Sequence, residues 1–185
     1  MNLEKMFEMQ KALDERIIKE KGLEGQDLLP NLILALQVEL AECANEWRGF
    51  KHWSNDREPR ICVIDKKGQT AKEYYKNPLL EEYVDCLHFI LSIGNRLGWN
   101  DTDTIDGVVV QHLISEKGFD TAKTFSCLLS IAYGFHFSNV EKRTYISLFT
   151  TFFELGNKLG FKWEQIEAAY MEKNAVNHQR QQEGY

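Results

Sequence analysis

The sequence predicts an all-α fold built as a helical bundle. Apolar residues recur at helical spacing along most of the chain, glycine or proline stands at the ends of successive segments, and convincing strand alternation is missing. With 185 residues, of which 43% are hydrophobic, the chain can bury a full core. We therefore expect a single helical domain that spans residues 1–185.

Three helices are predicted in the first half of the chain. They run from Leu3 to Lys21, from Pro30 to Arg48 and from Pro78 to Gly98. Proline is well tolerated in the first turn of a helix, and glycine is favoured just past its end, as at Gly22. Between the second and third helices, residues 49–75 break the pattern and indicate a long loop, with a short extended piece at residues 61–64.

The second half predicts short helices within residues 102–117 and longer ones over residues 121–137, 140–159 and 163–181. Residues 89–99 resemble residues 152–161, and both end in a basic residue, leucine, glycine and an aromatic residue. This internal similarity is typical either of a shared signal for ending helices or of a duplicated helical hairpin. The acidic residues Glu82 and Asp85 have no acidic counterparts in the second copy.

The overall charge limits the function classes. The net charge is −6, which disfavours a broad nucleic-acid surface but allows local binding of a phosphorylated small molecule. The four cysteines are scattered without metal-ligand spacing and suit reduced thiols. A signal-peptide h-region is missing, and no apolar run approaches the roughly 20 residues of a membrane span. We expect a cytoplasmic protein that does not enter membranes.

Two carboxylate pairs are the most informative feature of the chain. Glu39 and Glu42 lie three apart in the second predicted helix, and Glu82 and Asp85 do so in the third. Residues at this spacing share one helix face, and like charges there repel unless something neutralises them. The alternative is that both pairs lie on solvated helix faces. In the third helix, Glu81 could also take the place of Glu82, because it lies four residues before Asp85. With no histidine or cysteine at ligand spacing, the pairs favour Mg²⁺, or Mn²⁺, over zinc.

The last predicted helix supplies positive charge. Its stripe of donors consists of Tyr170, Lys173, Asn177 and Arg180. Lysine and arginine bind phosphate oxygens well, although a solvated terminal helix would show the same pattern.

Near the N-terminal side, Gln10, Trp47 and Trp53 could hold a base by hydrogen bonding or stacking. Carboxylates and cations together predict a magnesium-dependent nucleotide hydrolase without the glycine-rich cradle of a P-loop enzyme.

These motifs resemble those of the all-α nucleoside triphosphate pyrophosphatases, most closely the dimeric dUTPases of bacteria, their phages and some protozoa. Three segments carry the resemblance: Glu39-Leu40-Ala41-Glu42 with the following Phe50-Lys51-His52-Trp53, then Glu82-Tyr83-Val84-Asp85, and finally Lys173-Asn174-Ala175-Val176-Asn177-His178-Gln179-Arg180. The resemblance selects Glu82 over Glu81. It implies a homodimer and hydrolysis of dUTP, and of dUDP, to dUMP.

The resemblance also implies residue roles. Glu39, Glu42, Glu82 and Asp85 would hold the metal ions, with Glu39 also the general base. Lys173, Arg180, Asn177 and Lys51 would contact phosphates, while Gln10 and Trp53 would hold uracil and deoxyribose. A pyrophosphatase for another nucleotide such as dCTP is the alternative enzyme. A helical dimer that mainly binds a regulatory protein is the alternative from another class.

Overall fold

The computed structural model describes residues 2–68, 74–114, 120–137 and 140–184. Within these ranges the chain forms seven helices: α1 (Leu3–Glu20), α2 (Leu29–Trp47), α3 (Pro78–Leu97), α4 (Thr102–Ile114), α5 (Thr121–Gly134), α6 (Lys142–Lys158) and α7 (Trp163–Gln182). The predicted all-α fold is confirmed. A small two-stranded sheet in the connection between α2 and α3 is the only other regular structure in the described part.

One buried apolar cluster receives side chains from every helix. The helix α2 lies along α3, and α5 lies along α6, while α2 also packs against α5. Around these four helices, α1 and α7 both pack against α3, and α4 packs against α6. The polar face shared by α2 and α3 is therefore bordered by α7, and this arrangement positions the site described below.

Local sequence signals set most helix ends as predicted. Gly22 and Gly98 follow α1 and α3 with φ values of 64° and 69°, the left-handed conformation that glycine adopts without strain. Asn77 caps α3 by accepting a hydrogen bond from the backbone N–H of Leu80 at 3.0 Å. The end of α2 differs, because the left-handed position falls on Arg48 and not on the next residue, Gly49.

Three parts of the sequence-based prediction needed correction. The extended piece is confined to β1 (Val63–Ile64), and its antiparallel partner β2 (Tyr75–Lys76) was not predicted. Such short strands carry almost no alternation pattern. The stretch expected to hold several short helices contains the single helix α4 within its described residues, while residues 115–117 lie outside them. The helices α5 and α6 are also shorter than expected.

Candidate active site

The two carboxylate pairs meet on neighbouring helices. In α2 the apolar residues Leu36, Leu40 and Cys43 face the core, which leaves Glu39 and Glu42 on the flank that faces α3. Carboxylate oxygens of Glu39, Glu42 and Glu82 all lie within 4.8 Å of one another. The structure therefore brings three of the four predicted ligands into one cluster, which we call the carboxylate cluster.

Asp85 adjoins this cluster but is bound to a cation of the chain itself. Its Oδ2 accepts a hydrogen bond from Lys173 Nζ of α7 at 2.5 Å, and both side chains are largely buried. Burial raises the pKa of Glu39 and of Glu82, and the charge of Asp85 adds to the effect on each. The fourth carboxylate is therefore close to the other three, with Lys173 as its partner.

The cluster is electrostatically strained in the absence of a cation. Burial raises the pKa of Glu82 to about 7, and repulsion from Asp85 and Glu39 adds to the effect. Burial also raises the pKa of Glu39, helped by Asp85 and Glu42 and partly offset by a hydrogen bond with Glu82. Two carboxyl groups can share a hydrogen bond only if one of them carries the proton. Burial and mutual repulsion thus favour the protonated forms of Glu39 and Glu82.

The chemistry of the donor set fits a hard divalent cation. Every ligand atom in the carboxylate cluster is an oxygen, as Mg²⁺ and Mn²⁺ prefer, and neither histidine nor cysteine belongs to the group. A divalent ion would also remove the repulsion that raises the pKa values of Glu39 and Glu82. The residues therefore fit a divalent metal ion, in agreement with the expectation from the sequence.

The donor stripe on α7 is divided by the structure. Burial raises the pKa of Asp85, and the charges of Lys173 and Arg180 partly offset this effect, so both cations lie on this side of the molecule. Asn177 lines a neighbouring cavity. Tyr170 differs, because it is fully buried and its hydroxyl group contacts Met6 O and Gln10 Oε1, each at 3.1 Å. It belongs to the core and offers no donor to a phosphate.

A cavity of about 420 Å³ opens between α1, α2, α3 and α7. Its apolar wall includes Leu32 of α2 and Phe89 of α3. Each of these lies about two helical turns from a carboxylate of the cluster, Leu32 from Glu39 and Phe89 from Glu82. The wall of the cavity is therefore formed in part by the same faces of α2 and α3 that carry the carboxylates. We call this space the base cavity.

Gln10 lies on the wall of the base cavity, as expected for a residue that holds a base. It is only 3% exposed, and both ends of its amide are hydrogen-bonded within the protein. Nε2 donates to Asp14 Oδ1 at 2.9 Å and to Ser92 Oγ at 3.0 Å. A direct hydrogen bond from Gln10 to a base would have to replace one of these contacts, so that role stays a prediction.

The other two predicted contact residues lie elsewhere. Trp53 is 68% exposed, and its ring contacts Phe50 and His52 at the start of the long loop. Lys51 donates from Nζ to Asn45 O at 3.4 Å and lies over the ring of Phe50. Neither Trp53 nor Lys51 lines the base cavity. Their roles in holding the base or the phosphates stay predictions.

Sequence reasoning missed a polar network behind Gln10. Asp14, Ser92 and His88 surround its amide, and Asp14 also accepts a hydrogen bond from Ser92 Oγ at 3.0 Å. Burial raises the pKa of Asp14 to about 6 and lowers that of His88 to about 3. One available signal was the spacing of Gln10 and Asp14, which lie four apart and therefore on one face of α1.

The family of the chain follows from comparison with known proteins. A family model described as dUTPase matches residues 2–185. The chain belongs to the dUTPase family. It is therefore an enzyme of dUTP hydrolysis, and its helical architecture agrees with the all-α type of that family.

Three further findings concern the metal ion, the relatives and the membrane. The dUTPase family generally depends on a divalent metal ion, and the carboxylate cluster offers a place for one. No curated protein matches the chain. Among the described helices, none combines the length and the apolar character that crossing a bilayer requires.

Proposed function

We propose that this dUTPase hydrolyses dUTP, and also dUDP, with Mg²⁺ or Mn²⁺ held by Glu39, Glu42, Glu82 and Asp85. The observation that carries the proposal is the carboxylate cluster, with three carboxylates within 4.8 Å and Asp85 beside them. The bound cations would neutralise the negative charge that develops on the leaving dUMP. Family resemblance implies the products, which are dUMP and pyrophosphate from dUTP, and dUMP and phosphate from dUDP.

Glu39 is the proposed general base. One of its carboxylate oxygens would take a proton from a water molecule, whose oxygen then bonds to the β-phosphorus while the bond to the leaving dUMP oxygen breaks. A base works best when its pKa lies near the working pH, and burial and neighbouring charges raise the pKa of Glu39 in that direction. The position beside Glu82 and Asp85 supports this role over one on the exposed surface.

The cations of α7 would bind phosphate oxygens. Lys173 lies beside Asp85 and could contact a phosphate once that carboxylate turns to a metal ion. Arg180, whose charge also acts on Asp85, would bind the phosphates farther from the base. Asn177, which lines the base cavity, would donate a hydrogen bond to a phosphate. The base cavity would then hold the uracil, with Phe89 as an apolar wall.

A nucleotide panel tests the proposal. Hydrolysis of dUTP, dUDP, dCTP, dTTP and UTP should be compared with Mg²⁺, with Mn²⁺ and with a chelator. We expect hydrolysis of dUTP and dUDP with either cation and none with the chelator. Equal rates with dCTP would assign the enzyme to a broader pyrophosphatase activity, and full activity in chelator would remove the metal from the proposal.

The homodimer and a regulatory protein partner follow from the family resemblance alone. Light scattering of the purified protein measures its mass directly and would show a dimer near twice the 21.6 kDa of one chain. A mass equal to one chain at micromolar concentration would contradict the dimer. A partner protein that binds the chain but leaves dUTP turnover unchanged would place its surface away from the carboxylate cluster.

A further inference from the structure

The orientation of the Gln10 amide is fixed by its neighbours. Asp14 Oδ1 lies 2.9 Å from one end of the amide, and an ionised carboxylate can only accept hydrogen bonds. The end that faces Asp14 must therefore be the NH₂ group. Ser92 strengthens this assignment, because its hydroxyl group donates to the same Asp14 oxygen and so accepts from Gln10 Nε2.

The amide orientation in turn fixes the tautomer of His88. Gln10 Oε1 lies 2.6 Å from His88 Nδ1, and a carbonyl oxygen has no hydrogen to give. The hydrogen of this bond must therefore sit on His88 Nδ1. Burial and the nearby charge of Lys173 lower the pKa of His88 to about 3, so the ring is neutral at physiological pH. A neutral imidazole with a hydrogen on Nδ1 has an acceptor at Nε2.

That acceptor has no partner within the described residues. His88 is 5% exposed, its Nε2 is buried, and no described donor reaches it. Buried acceptors are almost always paired, because leaving one unpaired sacrifices the hydrogen bond that water would make. The same side chain lines the base cavity. A ligand in this cavity that offers an N–H group would supply the missing partner once a small movement of the cavity wall exposes Nε2.

We propose that His88 Nε2 accepts a hydrogen bond from N3–H of uracil and thereby separates uracil from cytosine. This inference rests on the proposed binding of the base in the base cavity. Uracil carries a hydrogen on N3, whereas N3 of cytosine is itself an acceptor, so two lone pairs would face each other. Asp14 is a positioning residue in this scheme, since it acts on His88 through the Gln10 amide.

Kinetics with two nucleotides test the role of His88. The ratio of kcat/KM for dUTP to that for dCTP should be measured in the wild type, in His88→Phe and in the control His136→Phe. Phenylalanine keeps a ring to pack on Tyr170, which stacks on His88 with centroids 4.5 Å apart, but has no acceptor. We expect the ratio to fall roughly tenfold or more in His88→Phe, the effect of one buried hydrogen bond, and to be unchanged in the control, an exposed histidine of the segment after α5.

Asp14→Asn gives a second test that does not remove the ring. In this variant the Gln10 amide can turn over and donate to His88 Nδ1, which moves the ring hydrogen to Nε2. The ¹⁵N shifts of the His88 ring report the tautomer directly. We expect a hydrogen on Nδ1 in the wild type, a detectable population with it on Nε2 in Asp14→Asn, and a lower dUTP to dCTP ratio in that variant.

The outcomes separate this inference from the proposed function. A wild type that does not hydrolyse dUTP would overturn both. A wild type that prefers dUTP, combined with an unchanged ratio in His88→Phe, would overturn only the role of His88. A wild-type ring with its hydrogen on Nε2 would likewise remove the acceptor. If His88→Phe does not fold, the tautomer and the ratio in Asp14→Asn decide the matter.

Discussion

Tyr83 of α3 and Tyr145 of α6 make the same contact in opposite directions. Tyr83 donates a hydrogen bond to Phe152 O of α6 at 3.0 Å, and Tyr145 donates to Ile90 O of α3 at 2.9 Å. Both tyrosines are fully buried. The two hydrogen bonds are reciprocal, which favours a duplicated helical hairpin over a shared helix-ending signal as the source of the sequence similarity.

Each tyrosine also needs a glycine on the opposite helix. A Cβ atom added to Gly94 would clash with the Tyr145 hydroxyl group, and one added to Gly156 would clash with that of Tyr83. We expect Gly94→Ala and Gly156→Ala each to lower the free energy of unfolding by about 1–3 kcal/mol, the usual effect of overpacking a core. Urea unfolding followed by circular dichroism measures this change.

Gly134 provides the matched control. It lies in α5, but nothing stands within 4 Å of a Cβ atom added there. We expect Gly134→Ala to be neutral or to stabilise the protein by up to about 1 kcal/mol, because alanine favours helix more than glycine does. Equal effects of all three substitutions would show that helix propensity, and not the tyrosine contact, governs these positions.

The sequence predicted the helices well because their signals are local. Apolar spacing defines α3, and Asn77, Pro78 and Gly98 mark its ends. The hairpin of β1 and β2 depends instead on pairing between residues about a dozen apart, such as Ile64 with Tyr75, which no local pattern reports. The left-handed end of α2 at Arg48 was missed for a similar reason, since its guanidinium is held by Asp56 at 2.7 and 2.9 Å.

The first functional prediction concerns Glu39. Glu39→Gln should fold normally and lose dUTP turnover by roughly a hundredfold or more, because the amide cannot accept the proton of the attacking water. Steady-state kinetics with Mg²⁺ measure the loss, and a thermal melt checks the fold. Near-normal turnover in this variant would show that another group acts as the base. If Glu39→Gln lost turnover but still bound a regulatory protein, catalysis and partner binding would be separate functions.

The second functional prediction concerns Arg180. Arg180→Glu reverses a charge that acts on Asp85, so triphosphate binding should weaken more than folding. The matched control is Arg143→Glu in α6, where the arginine is highly exposed and pairs with Glu141. Calorimetric titration with a non-hydrolysable dUTP analogue measures both. Unchanged affinity in Arg180→Glu would contradict a phosphate contact from α7.

The candidate site divides into parts that a sequence can and cannot predict. Spacing alone selected Glu39 with Glu42 and predicted an acidic pair in α3, but the family resemblance was needed to choose Glu82 over Glu81. The distance between the pair on α2 and the pair on α3 depends instead on how these two helices pack, which the sequence does not report. The network of Asp14, Gln10 and His88 joins α1 to α3 over 78 residues between Gln10 and His88, so local spacing could not reveal it.

The third functional prediction concerns pH and the cluster. In the metal-free protein the pKa of Glu82 is raised from 4.5 to about 7, so the folded state binds more protons than the unfolded state between these pH values. Stability without metal should therefore fall as pH rises from 4.5 to 7, and Glu82→Gln should reduce that fall. The rise in Tm on adding Mg²⁺ should grow over the same pH range, since the cation competes with the proton.

Glu81→Gln is the control for that experiment. It makes the same change of charge one residue away, but Glu81 is exposed and does not belong to the carboxylate cluster. The effect of Mg²⁺ on Tm should be nearly unchanged in Glu81→Gln and largely lost in Glu82→Gln. The reverse result would assign the ligand to Glu81, the choice that helical spacing alone left open.

The last prediction concerns Asp14, whose pKa burial raises from 3.8 to about 6. The folded protein takes up a proton here that the unfolded chain releases, so the contribution of Asp14 to stability is most favourable below pH 3.8 and is lost as pH rises to about 6. Asp14→Asn has no such charge, so its stability relative to wild type should increase from pH 4 to pH 7. Urea unfolding at both pH values measures the difference, with the exposed neighbour Glu15→Gln as the control. A difference that does not depend on pH would show that Asp14 titrates normally, and that its hydrogen bonds to Gln10 and Ser92 fully offset burial.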